Sequence, residues 1–108
     1  MRIYNINDFK RGWFIGNFEP SLLRANFEVA VQKNKAGQPH IDHFHKKGTE
    51  YNVVLEGELI INGRKFVKDD VFILEPYEIS QVEYITDNTV LVVRDISDPN
   101  DKYEVQVL

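Results

Sequence analysis

The sequence predicts an all-β protein, an antiparallel sandwich or barrel. Short apolar runs follow one another, about eight or more of them, with turn signals recurring about every 6–12 residues. No stretch keeps a helical period over about ten residues or more. At 108 residues the chain is one domain in length, residues 1–108, and a chain of this size buries roughly 60–70% of the surface its unfolded form exposes. That is enough for one core.

Taken in order, residues 1–10 alternate loosely around Ile3 and Ile6 and suit a short edge strand or an arm onto another subunit. The aromatic-dense segment 12–18, with Trp13, Phe14 and Phe18, reads as core packing, with a lid or a dimer contact as the functional alternative. Residues 19–21 turn around Pro20. A strand follows over 23–32, with Phe27, Val29 and Val31 on one face and Asn26, Glu28, Ala30 and Gln32 on the other, the polar face meeting either solvent or a cavity. After a loop over 33–37 come strands at 39–45 and 50–56; the second is apolar on both faces, as a covered central strand would be. Asn62-Gly63 predicts a type I′ hairpin between strands 59–61 and 64–67. The apolar run 71–74 is a buried strand, broken by Pro76. Strands over 80–85 and 89–95 flank a turn, a loop covers 97–101, and 103–107 is an alternating tail.

Composition narrows the function classes. Thirteen Lys and Arg against 17 Asp and Glu leave a net charge of −4 and a pI near 5.3, which excludes a basic nucleic-acid footprint. The chain has no cysteine, so a bound metal would be held by nitrogen and oxygen alone. The first residues carry no long apolar segment and nothing approaches a membrane span of about 18 apolar residues. A soluble cytoplasmic protein, bound neither to nucleic acid nor to membrane, is the expectation.

Chemistry concentrates between Gly37 and Gly57, which hold all three histidines of the chain. Two apart on a strand, His43 and His45 look the same way, so both imidazoles can meet one ion. Residues 46–49 form a polar bend that brings Glu50 back toward them. Two histidines and a carboxylate make a divalent-metal set of iron, manganese, nickel or zinc type. His40 lies three positions before His43 and would face away on a regular strand; its two readings are a loop-edge residue and a proton shuttle at a pocket mouth. Tyr77 and Arg94 are candidates for binding a polar or anionic ligand at a pocket rim. No residue stands out as a catalytic base.

This stretch resembles the first motif of the cupins: Gly, five residues, His-x-His, three or four residues, Glu, six residues, Gly. Gly37, His43, His45, Glu50 and Gly57 fill each of its positions. The second motif, Gly, five residues, Pro-x-Gly, two residues, His, three residues, Asn, is matched only by Pro76; Asp70, Glu78, Gln81 and Ile85 stand at its other positions. The resemblance implies the cupin double-stranded β-helix, or jelly roll, which the strand pattern alone does not separate from other small barrels. It implies metal ligation by His43, His45 and Glu50, and it places Gln81, a neutral amide, where the family carries its fourth ligand. Residues 13–22 and 98–103 are also similar to small stand-alone cupins associated with bacterial surface-carbohydrate pathways. The expected function is therefore a metal-binding cupin acting on a small polar, carbohydrate-related ligand, as an isomerase, epimerase or dioxygenase. The alternative is a non-catalytic or metal-free cupin that binds a sugar or sugar nucleotide. A homodimer is expected too, because an isolated jelly roll would leave apolar edges near Trp13 and the C-terminal strand.

Overall fold

Ten strands build two facing layers in the structure, a computed structural model that describes residues 1–105. They are β1 (Trp13–Ile15), β2 (Glu28–Asn34), β3 (His43–Phe44), β4 (Glu50–Glu56), β5 (Glu58–Ile61), β6 (Arg64–Val67), β7 (Val71–Leu74), β8 (Val82–Tyr84), β9 (Asn88–Arg94) and β10 (Tyr103–Glu104). One layer is a five-stranded sheet in the order β1-β2-β9-β4-β7, and every pairing in it is antiparallel. The other combines β6-β5-β8 with the β10-β3 pair, linked by an antiparallel bridge between His43 and Ser80. Ala30, Val54, Leu74, Val90 and Val92 from the first layer close on Leu59, Ile61 and Tyr84 from the second to make the core. No helix among the described residues is long and apolar enough to cross a membrane.

The Asn62-Gly63 turn is type I′, with φ of 50° and 79°, and pairs Ile61 with Arg64. Elsewhere the boundaries shift. Two 3-10 turns, Ile6–Asp8 and Lys10–Gly12, replace the edge strand or arm expected over 1–10, because Asn5 caps the first through Asn7 N and Phe9 is buried between them. Of the strand expected over 39–45, only His43 and Phe44 are strand among the described residues, paired with Glu104 and Tyr103, and Val105 N donates to the Asp42 carbonyl at 2.9 Å beside them. The tail expected over 103–107 is a strand at Tyr103–Glu104, and its last residues lie outside the described ones. Trp13 packs against the core, as an aromatic-dense segment suggests.

The five-stranded sheet turns its more polar face inward. Cross-strand register aligns Glu28, Arg94, Glu50 and Leu74 in one row and Ala30, Val92, Asn52 and Phe72 in the next. Its outer face carries Val29, Val93, Tyr51 and Ile73, then Val31, Leu91, Val53 and Val71. Charge is thus held inside the molecule and apolar side chains are left outside.

Gly57 ends β4 with φ of 84°, and a Cβ there would run into the Asp87 carbonyl and lie 2.8 Å from the Asn88 Cα. Gly37 also has positive φ, but a Cβ there would meet nothing within 4 Å. Gly57→Ala is therefore expected to cost roughly 2–4 kcal/mol and Gly37→Ala only about 1–2 kcal/mol. Urea unfolding of the two variants beside the native chain checks the order; equal losses would contradict the steric account.

Candidate functional site

A cavity of about 410 Å³ opens between the two layers at the end where the polar row lies. His40, His43, His45, Glu50, Asn52 and Arg94 all line it. β3 supplies the first histidine pair by simple alternation, and β4 returns Glu50 after the bend at residues 46–49. His45 Nε2 stands 3.5 Å from Glu50 Oε2, and the His43 and His45 ring centres are 5.3 Å apart.

Each of these two imidazoles is held from behind. His43 Nδ1 donates to the Ile41 carbonyl at 2.9 Å, and His45 Nδ1 donates to the Asp101 carbonyl. A proton on Nδ1 leaves Nε2 of the neutral ring as the free lone pair, the arrangement that ligating histidines use. Burial lowers the His43 pKa, which favours that neutral ring. Burial alone would raise the Glu50 pKa, but the hydrogen bond and charge of His45 outweigh it and hold the carboxyl below its ordinary 4.5.

Asp101 is the anchor of this arrangement. Only 1% exposed, its carboxylate accepts from the backbone N–H groups of Lys46, Lys47 and Gly48 and from Arg94 Nη2 at 2.9 Å. Those donors outweigh its burial and hold its pKa below 3.8. Arg94, 3% exposed, also meets Glu28 at 3.8 Å, and burial raises the Glu28 pKa despite that neighbour.

The remaining predicted residues divide. His40 does not face away: its ring centre lies 5.1 Å from that of His43 and 6.2 Å from that of Tyr84. Residues 39–42 are not a regular strand, so odd and even positions no longer mark opposite faces. Burial and the neighbouring His43 lower the His40 pKa to about 4, so the ring is neutral near pH 7. Gln81 does not join the cluster. Ser80 and Val82 take the inward positions, while the exposed Gln81 side chain reaches Asp42 at 3.4 Å. Tyr77 is 65% exposed and stacks on Phe44 outside the cavity, and Arg94 lies in the buried wall rather than at the rim. Sequence reasoning missed Asn52 and Asp101. The first sits two positions after Glu50 on the same strand face, a signal that was available; the second gave none.

Known structures share this arrangement of strands. An uncharacterized conserved protein with a double-stranded beta-helix domain from Klebsiella pneumoniae superposes with a TM-score of 0.64 at 18% identity, over 99% of each chain. The chain has the cupin fold. A bacterial pirin, YhhW, from Escherichia coli in complex with nickel(II) superposes with a TM-score of 0.67 at 15% identity, over 80% of this chain and 39% of the pirin. A cupin-superfamily sugar phosphate isomerase from Silicibacter pomeroyi gives 0.61 at 19% identity, over 78% of this chain and 59% of the isomerase. This chain spans 39% of the pirin and 59% of the isomerase, less than two thirds of either. No family model matches the chain, and no curated protein matches it in sequence.

Asp101→Ala leaves Arg94 short of a buried partner and is expected to destabilise the protein by roughly 3 kcal/mol. The sign with pH follows from its depressed pKa: the stabilisation is complete above its unfolded value of 3.8 and disappears as pH falls through the lower folded value. Melting temperatures followed from about pH 6 to about pH 2.5 should therefore fall less steeply in Asp101→Asn than in the native chain; parallel curves would contradict it.

Proposed function

We propose that this cupin cavity binds a small polar ligand beside a divalent metal ion held by His43, His45 and Glu50. The observation that carries the reading is the pair of Nδ1–H···O=C bonds that leaves Nε2 of His43 and of His45 as the ligating atoms beside a carboxylate, the proton that His45 shares with Glu50 being given up when an ion binds. As the side chains stand, no three His, Asp or Glu among the described residues converge closely enough to hold an ion. The donor chemistry nevertheless fits. Imidazoles sharing an ion through bonds of about 2.1 Å have ring centres about 4.5–5.3 Å apart, and His43 and His45 are 5.3 Å apart. Rotation of side chains, without movement of strands, would close the set.

A bound ion would supply Lewis acidity to a chelating oxygen of the ligand. The chain's own part is to fix both imidazoles through Ile41 and Asp101, to keep Glu50 ionised, and to offer His40 as a neutral imidazole beside His43 that can hydrogen-bond the ligand. These groups suit isomerisation or epimerisation of a carbohydrate-related ligand, and a dioxygenase uses the same kind of ligand set. A metal-free binding protein is the second reading, favoured by the direct 3.5 Å contact between His45 and Glu50. Gln81 has no part in either, given its direction.

Elemental analysis of untagged protein separates the readings: about one transition-metal ion per chain is expected in the native protein and none in His45→Ala. Protein that stays metal-free after anaerobic reconstitution with iron, manganese, nickel and zinc would overturn the metal site and leave the second reading.

The cupin also pairs with a second copy through the outer face of its five-stranded sheet. Two cross-strand rows there are wholly apolar, and Tyr51, Val71 and Ile73 are 42%, 59% and 46% exposed. An uncharged pleated face can be self-complementary about a two-fold axis. The two rows and their flanks span about 14 Å along the strands and four strands about 19 Å across, a patch of roughly 270 Å² per copy that would be the apolar centre of the roughly 1,000 Å² a specific interface needs. This replaces the expectation of edges near Trp13, which packs inward. Light scattering should give a dimer for the native chain and a folded monomer for Ile73→Lys; a native monomer at about 100 μM would refute the interface.

A further inference from the structure

The cavity's charge distribution carries a second conclusion, one that rests on the cavity being the ligand site but not on the metal. Five carboxylates line it, and each is engaged. Glu28 and Asp101 share Arg94, Glu19 pairs with Arg24 at 2.6 Å, Asp98 pairs with Lys47 at 2.9 Å, and Glu50 meets His45. Three cations at the exposed mouth, Lys10, Arg11 and Lys102, pair with no carboxylate among the described residues. The lining as a whole holds five carboxylates against four cations, so what sets these three apart is their lack of a direct partner and not an excess of charge.

The mouth is also built rather than incidental. Arg11 sits in the left-handed region at φ 53°, a conformation unfavourable for a residue with a long side chain, and Gly12 follows at φ 77°. Gly12 is packed so tightly on β2 that a Cβ would collide with the Val31 carbonyl oxygen. The backbone of the turn is therefore held close against β2, with Lys10 and Arg11 among the residues that line the cavity. Lys102 reaches the same lining from the residue next to the Asp101 anchor. Deeper in, His40 Nδ1, Asn52 Nδ2 and Arg94 Nε are buried polar atoms without a hydrogen-bond partner among the described residues, and all three belong to residues of this cavity. Unsatisfied buried polar groups gathered at one cavity mark a place where a polar molecule completes the network.

We infer that the ligand is a small anion, a polar molecule bearing a phosphate or carboxylate group, whose charged end is held at the mouth by Arg11, Lys10 and Lys102 while its hydroxylated or carbonyl end reaches toward His43, His45 and Glu50. Guanidinium and ammonium groups close on such an anion with charge-assisted hydrogen bonds, and the low-dielectric cavity wall strengthens them.

Calorimetric titration tests this with glucose 6-phosphate, glucuronate and glucose, on the native protein with and without EDTA. Binding of either anion at least about tenfold tighter than glucose is expected, and which anion binds tells phosphate from carboxylate. Arg11→Asn, whose new residue tolerates the left-handed backbone, and Lys102→Gln should each weaken the anion about tenfold and leave glucose unchanged. Equal affinity for glucose, no binding of either anion at about 10 mM, or variants that bind the anion as the native chain does would each overturn the proposal. Anion binding that survives EDTA while elemental analysis finds no metal would sink the metal reading and leave this one standing.

Discussion

A buried guanidinium has to be paired, and much of this molecule follows from how Arg94 is. At 3% exposed it cannot reach bulk water, and an isolated charge there would cost several kcal/mol. Asp101 and Glu28 supply the partners, from a loop near the end of the described chain and from the start of β2. Because the same Asp101 carboxylate gathers the N–H groups of Lys46, Lys47 and Gly48, the bend between β3 and β4 is fixed by the same knot. Gly48 has to be small here: a Cβ would lie 2.8 Å from Arg94 Nη2. Since that bend also sets how Glu50 comes back beside His45, and the Asp101 carbonyl holds the His45 ring, structural and functional geometry share one anchor.

The inverted polarity of the five-stranded sheet is the second consequence. A sheet packed on an ordinary core would bury Val29, Val31, Leu91 and Val93 and expose their alternates. Here Glu28, Asn52 and Arg94 occupy the inner face instead, because β4 and β9 run beside a polar cavity at one end and beside the apolar core at the other. The apolar set is left facing outward. Solvation alone gives no reason for eight aligned apolar residues in two rows, the observation on which the proposed pairing of two copies rests.

Much of this was legible in the residues. Asn62-Gly63 fixed a hairpin through φ requirements that few other dipeptides meet, and alternation on β3 was enough to place His43 and His45 together. Gly57 stands in its motif position for a steric reason the structure makes explicit. Alternation failed where the strand did: His40 lies in irregular chain, so counting from His43 misplaced it. Gln81 failed for a different reason. A gapped motif fixes spacing along the chain, but the inward direction at that point is set by the bridge between Ser80 and His43, and a one-residue difference in register exchanges inside for outside. Asp101 lies 56 positions from His45, and no local pattern announces a contact of that range. The strand expected over 23–32 is β2 at Glu28–Asn34, so Asn26 and Phe27 fall before it; within it alternation separates Val29 and Val31 from Glu28, Ala30 and Gln32, yet which face is buried depends on the cavity and not on the strand.

The two ends of the cavity complement each other chemically. At the depth stand Glu50, which its surroundings keep ionised, and two imidazoles fixed through Nδ1; at the mouth stand cations that pair with no carboxylate among the described residues. A ligand entering such a field is oriented before any specific contact forms, its negative end held outward and its electron-poor or metal-chelating end directed in. Residues 13–22 and 98–103 meet at this mouth, where Asn17 N donates to Ser97 Oγ at 2.7 Å and Phe18, Pro20, Asp98 and Pro99 line the cavity. Two segments far apart in sequence thus frame the same opening. Selectivity for the ligand would be decided there, by shape and charge, and the histidines below would act on whatever that frame admits.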